Sequence, residues 1–273
     1  MIFVSRLQLI ALLLCAGLIA RPVLAQEKGE ESAAELAKEL ANPLASLISV
    51  PVKFNWDTGI GPADADRSTL LVQPVVPFSV NNNWNLISRT IVPVQIRAES
   101  PVAGGSTQTG SGDITLSLWF SPKAPTAGGW IWGVGPVLSL PAASNDRLGS
   151  EKWGAGPTAI VLKQEGAWTY GGLFNHVWSV AGTDSRADIS PTFIQPFLAY
   201  STPKATTYSV NAESTYDWEA RQWTVPINFG VSRVMKLGRL PVSLGLTVRK
   251  YVEAPDSGPD WGASVQATFL FPK

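Results

Sequence analysis

The side chains best suited to chemistry are few. The only histidine, His176, follows Asn175. Imidazole is the usual general base near neutral pH, and with a serine from a neighbouring strand the pair would form a Ser-His-Asn constellation able to hydrolyse a lipid ester. No serine stands out as that partner, and a single histidine among tryptophans is also an ordinary hydrogen-bonding residue at a membrane interface. No catalytic residue is therefore assigned. Gly133-Val134-Gly135 and Gly154-Ala155-Gly156 look like pieces of a phosphate loop but lack a third glycine ahead of a helix. In strands, alternate glycines line one face and permit close approach. Asp64 and Asp66 lack the remaining spacing of a calcium loop. One histidine and one cysteine, Cys15, leave little for a metal site. Neither metal nor cofactor is expected.

The remaining candidates are charged and amide side chains that share a parity with other polar residues in extended segments. They are Lys53, Asn55, Arg89, Arg97, Asp113, Gln195, Asn211, Glu213, Asp217, Asn228 and Arg249. Gln73 and Gln95 belong to the same set. Side chains alternate faces along a strand, so such residues would point together to one side of a sheet. What encloses that side depends on the elements that carry them.

Charged residues make up 15% of the 273, against roughly 25% in a soluble protein. Eleven tryptophans, 24 glycines and 21 prolines argue against long helices, and 45% hydrophobic content is too much for a disordered chain. Basic and acidic residues balance at 21 each, so no electrostatic footprint for nucleic acid exists.

Arg6 precedes an apolar run from Leu9 to Ala20, and Val23-Leu24-Ala25 suits cleavage. Residues 1–25 read as a secretory signal peptide, too short to span a bilayer comfortably. The mature chain would then carry no thiol and fold without disulfides. Residues 26–46 read as a helical arm. Ser32 and Glu35 have capping-box spacing, and Ala33, Leu36, Ala37, Leu40, Ala41 and Leu44 form one apolar stripe, predicting a helix over 32–41 that ends before Pro43. The expectation is a surface arm folded against the body, the alternative a plug or periplasmic latch.

From residue 47 to 273 the period is two. Trp223, Val225, Ile227, Phe229 and Val231 alternate with Thr224, Pro226, Asn228, Gly230 and Ser232, and Ile114, Leu116, Leu118 and Phe120 alternate with Asp113, Thr115, Ser117 and Trp119. Twelve strands are predicted, at 47–56, 69–79, 84–97, 112–120, 130–140, 153–163, 167–180, 191–201, 206–218, 221–232, 240–252 and 261–271. Short gaps, such as 80–83 and 202–205, alternate with longer ones rich in Gly, Asp, Ser and Pro, such as 57–68, 98–111 and 141–152. Short turns at one end and long loops at the other describe an outer-membrane barrel. The predicted class is all-β, a closed antiparallel transmembrane β-barrel of about 12 strands, with a short N-terminal helix after the signal peptide.

Tryptophan position separates this barrel from a secreted β-sandwich or a lipocalin-like soluble barrel. A sandwich buries indoles at mid-strand, whereas a membrane barrel places them at both water interfaces. Trp84, Trp119, Trp130 and Trp168 fall at the periplasmic ends of strands. Trp56, Trp153, Trp178, Trp218, Trp223 and Trp261 fall at the outer ends. Two aromatic belts are predicted, with Trp132 left over. If the apolar faces meet lipid, the polar set lines the lumen, with Arg89, Glu213, Asp217 and Arg249 foremost.

Three functions follow. The first is an outer-membrane channel, in a Gram-negative bacterium, for passive passage of small solutes, whose partners are lipid and an unidentified solute and not nucleic acid. The others are a lipid hydrolase centred on His176, and a structural or adhesion barrel acting through its loops.

Several stretches carry a resemblance that spans nearly the whole mature chain. They are Asn42-Pro-Leu-Ala-Ser-Leu-Ile-Ser-Val-Pro, Gln73-Pro-Val-Val-Pro-Phe, Trp84-Asn-Leu-Ile-Ser-Arg-Thr, Gly133-Val-Gly-Pro, Lys152-Trp-Gly-Ala-Gly-Pro, Asn175-His-Val-Trp-Ser-Val-Ala-Gly and Glu213-Ser-Thr-Tyr-Asp-Trp-Glu-Ala. They resemble Gram-negative outer-membrane proteins labelled neuromedin U, similar to the phenol-degradation meta-pathway transporter family. The resemblance implies an outer-membrane β-barrel with a transport role, and the family name associates it with aromatic compounds. It implies no catalytic residues.

Overall fold

The computed structural model describes residues 33–272. The expected signal peptide and Ser32 lie outside them. Residues 33–40 form the helix. Twelve antiparallel strands follow and close on themselves. In chain order they are β1 (Ile48–Ile60), β2 (Ala65–Val72 continued by Val75–Ser79), β3 (Trp84–Ala98), β4 (Gln108–Gly110 continued by Ile114–Pro122) and β5 (Trp130–Leu140). Next come β6 (Lys152–Glu165), β7 (Trp168–His176 continued by Trp178–Gly182), β8 (Pro191–Ser201) and β9 (Thr206–Ala212 continued by Ser214–Asp217). The last are β10 (Gln222–Leu237), β11 (Leu240–Glu253) and β12 (Trp261–Phe271).

Each strand pairs with its neighbours in sequence, and β1 closes the circle against β12 from Ile48↔Phe271 to Thr58↔Trp261. Closure satisfies every ladder and leaves no sheet edge, the condition for strands to cross a bilayer. Among the described residues no helix is long and apolar enough to cross one.

The strands exist because their alternation gives each face a separate solvent. In β10, Phe229 and Val231 are exposed outward while Asn228 is buried inward. Some connectors are shorter than expected: the strand predicted at 221–232 runs on to Leu237, through most of the gap expected at 233–239. The Gly- and Asp-rich stretch 57–68 is mostly strand, with β1 running to Ile60 and β2 starting at Ala65, because Trp56 and Asp57 pair with Ser68 and Arg67. Backbone pairing outweighs the turn-forming composition there.

Nor is the arm on the surface. Ala37 and Leu47 pack with Ala205, Val234 and Leu270, and Leu44 packs with Ile87, Trp119, Ile160, Leu162 and Leu173, all inward-facing barrel residues. Gln164 donates to the Lys38 carbonyl at 2.9 Å. Thus the stripe of the helix is covered by the inside of the barrel mouth at the end with the short turns.

Gly133 is what lets the arm in. A Cβ at this position would stand 3.2 Å from Leu44 and 3.0 Å from the Trp119 Cβ. Close approach of another segment is the use that alternate strand glycines suggest.

Candidate functional site

Beyond the arm the barrel encloses a cavity of about 720 Å³. Of the eleven predicted lumen residues, Lys53, Asn55, Arg89, Gln195, Asn211, Glu213 and Asn228 line it. The polar lining is concentrated on β9 to β3, passing through the closing pair. Asn228 donates to Asn211 Oδ1 at 3.0 Å, Gln195 reaches the same oxygen at 3.5 Å, and Arg89 donates to Gln73 Oε1 at 3.3 Å. The opposite wall, on β5 to β8, contributes Val137, Ile160, Leu173, Phe193 and Phe197.

Arg249 points inward but does not border the cavity. It is buried, donating to Asn55 Oδ1 at 2.8 Å and lying 3.6 Å from an Asp57 oxygen, to which the Tyr251 hydroxyl also donates at 3.0 Å. Gly262 makes the space, since a Cβ there would collide with Asp57 and with the stem of Arg249. A buried guanidinium needs a carboxylate and further hydrogen bonds to offset desolvation; Asp57 and Asn55 supply them at its two terminal nitrogens, while Nε has no partner among the described residues. The group is structural. Asp57, taken from sequence as loop, is the residue missed; its parity with Lys53 and Asn55 was the available signal.

Four other lumen expectations are corrected. Arg97 points to the outer face, half exposed and paired with Glu99 at 2.8 Å. Its parity is inverted by a bulge: the β2–β3 register steps from Leu70↔Gln95 to Leu71↔Pro93, leaving Val94 as the extra residue. Gln95 turns out with it. Asp113 is consumed by the 141–151 loop, accepting from the Ala143 and Ser150 amides and the Ser150 hydroxyl. Asp217 accepts from the Glu219 and Ala220 amides and so fixes the 218–221 turn. Short carboxylates beside a turn satisfy its free N–H groups before anything in the lumen.

Nine of the ten belt tryptophans are exposed on the outer surface: Trp56, Trp84, Trp130, Trp153, Trp168, Trp178, Trp218, Trp223 and Trp261. Trp132 joins them, edge-on to Trp84 at 5.8 Å. Trp119 is the correction. It is 1% exposed and inward, its indole N–H donating to Thr158 Oγ1 at 3.1 Å. Its strand parity with Ser117 and Thr115 had already placed it inside; only its position near a strand end suggested the belt.

His176 lies on the outer face. Its ring stands 4.1 Å from that of Trp178, and its Nδ1 is 2.6 Å from Thr192 Oγ1. The same hydroxyl accepts the Trp218 indole N–H at 2.8 Å. A threonine, not a serine, is therefore the partner, and Asn175 faces the cavity away from the imidazole. The two do not converge on one centre.

At the long-loop end two of the longer connectors, 141–151 and 183–190, are tied together. Arg186 donates to the carbonyls of Asp146 and Gly149 at 2.7 and 2.6 Å. Lys152 pairs with Asp188 at 3.1 Å, and Ser179 also donates to that carboxylate. These donors hold the Asp188 carboxyl below the usual aspartate range, the Lys152 hydrogen bond being the larger cause and the Ser179 bond the next.

No family model matches the chain, and no curated protein sequence matches it either. Solved structures are similar in fold. The COG4313 outer membrane channel from Pseudomonas putida F1 superposes with a TM-score of 0.64 at 14% identity, covering 83% of this chain and 96% of that one. The NanC porin superposes at 0.53 and 9% identity, covering 82% and 100%. At such identities the likeness is one of architecture, and the architecture shared is that of outer membrane channels and porins.

Proposed function

We propose that the protein is a passive outer-membrane channel for small solutes, with the 33–46 arm seated at its periplasmic mouth and setting the width of passage. The observation that carries this reading is the cavity with open charges on one of its walls. Charged groups that served only to fill a lumen would be paired, as Arg249 and Asp57 are; Lys53 and Glu213 instead border open space without a side-chain hydrogen bond or ion pair among the described residues. Rings and patches of open charge are how pores set selectivity.

Aromatic solutes are the finer part of the proposal. Phe193 and Phe197 offer partly open aromatic rings on the wall facing the polar one, which suits a solute with an apolar body. The motif resemblance to the phenol-degradation transporter family points the same way. Refolded protein in planar bilayers tests the channel: discrete conductance steps are expected, and their absence together with no solute flux into liposomes would reject it. Faster liposome uptake of benzyl alcohol than of a polyol of equal size, relative to empty liposomes, tests the finer part.

A further inference from the structure

The charges inside the barrel fall into two kinds. Arg249 and Asp57 pair with each other. Lys53 on β1, Arg89 on β3 and Glu213 on β9 all border the cavity, and among the described residues none of the three has an ion-pair partner within contact distance. Arg89 has only the amide of Gln73, on the strand between the two cations. Lys53 and Arg89 are each near enough to feel the field of Glu213, and Lys53 that of Asp57 as well, yet neither closes to ion-pair distance on a carboxylate.

Charges enclosed by protein and left uncompensated are costly. A guest can supply the compensation. An anion alone would satisfy the two cations but bring a like charge toward Glu213, and a cation alone would do the reverse. A guest with both charges meets all three groups.

Resting on the channel reading, we infer that the middle of the lumen is a binding site for small zwitterions, the carboxylate held between Lys53 and Arg89 and the ammonium on Glu213. The guanidinium of Arg89 suits a carboxylate because its donors match both oxygens. Traffic of such solutes should then saturate, while that of neutral solutes of equal size should not.

The test uses three solutes of one carbon length, 4-aminobutanoate, butanoate and butylammonium, added to single channels of the full chain. The zwitterion should interrupt the ion current at the lowest concentration. Glu213→Gln should weaken its block by about tenfold, the scale of one charge-assisted hydrogen bond, and shift preference to butanoate. Lys53→Met with Arg89→Gln should shift preference to butylammonium. Equal interruption by all three, or none by any, in a conducting wild-type pore would overturn the site.

Calorimetry on the detergent-refolded barrel separates the two readings. Zwitterion binding without conductance keeps the site and rejects the channel; conductance without binding does the opposite. Heat-modified gel mobility verifies that each variant is folded.

Discussion

The inside of this barrel holds two different solvents along its length. At the arm end, Ile87, Trp119, Leu162, Val234 and Leu270 face inward and are buried against Leu44, Ala37 and Leu47, as in the core of a soluble domain. In the middle, two of the same strands, β3 and β10, present Arg89 and Asn228 to a cavity, with Lys53 and Asn211 beside them on β1 and β9. The backbone is continuous between the two zones, so the strand does not decide the character of its inner face. What decides it is the material opposite: water selects amides and charges, and an inserted apolar segment selects Ile, Leu and Trp.

Removing the arm should break this contrast most completely. Deletion of residues 33–46 is expected to raise single-channel conductance several-fold and to expose an apolar mouth, read as increased dye binding by the folded barrel. Unchanged conductance would mean that the arm leaves the passage as it is. Trp119→Ala should cost about 3–5 kcal/mol in unfolding experiments, the range for emptying a large buried aromatic site. The belt substitution Trp261→Ala should cost only about 1 kcal/mol, the worth of its exposed cation–π contact with Lys250 at 4.7 Å. Equal costs would erase the distinction between inner and outer indoles.

Gly133→Val is a milder displacement. Its side chain would meet Leu44 and Trp119, so conductance noise should rise as the arm undocks, with little change in strand content by circular dichroism. The smallest effect concerns acid. The Asp188 carboxyl titrates lower in the folded protein than in the unfolded chain. Its tether to Lys152 therefore contributes above the usual aspartate range and is lost as pH falls through the lowered value. Protease nicking at 183–190 should increase there, while cleavage near the arm stays constant.

Much of the fold was legible because lipid and water impose a period of two on every strand, as in Trp223 to Ser232. The site was legible only where that parity ran undisturbed, as at Lys53, Asn55 and Asn211. One extra residue, Val94, was enough to turn Arg97 outward, and Pro93 before it is the only local mark, one that suits a strand edge as well as a bulge. Asp113 and Asp217 have lumen-like composition but sit beside turns with free amides, which a strand pattern cannot register. The covering of the arm was invisible for another reason. An amphipathic stripe states that a partner exists, and both the barrel's outside and part of its inside are apolar.

The position of the arm next to β1 ties it to the closing seam. Its helix ends at residue 40 and β1 starts at Ile48, the strand that seals the seam with β12. So short a leash keeps the arm beside that seam. Leu47, adjoining Ile48, packs with Leu270 of β12, so docking the arm fastens together the two strands that meet there.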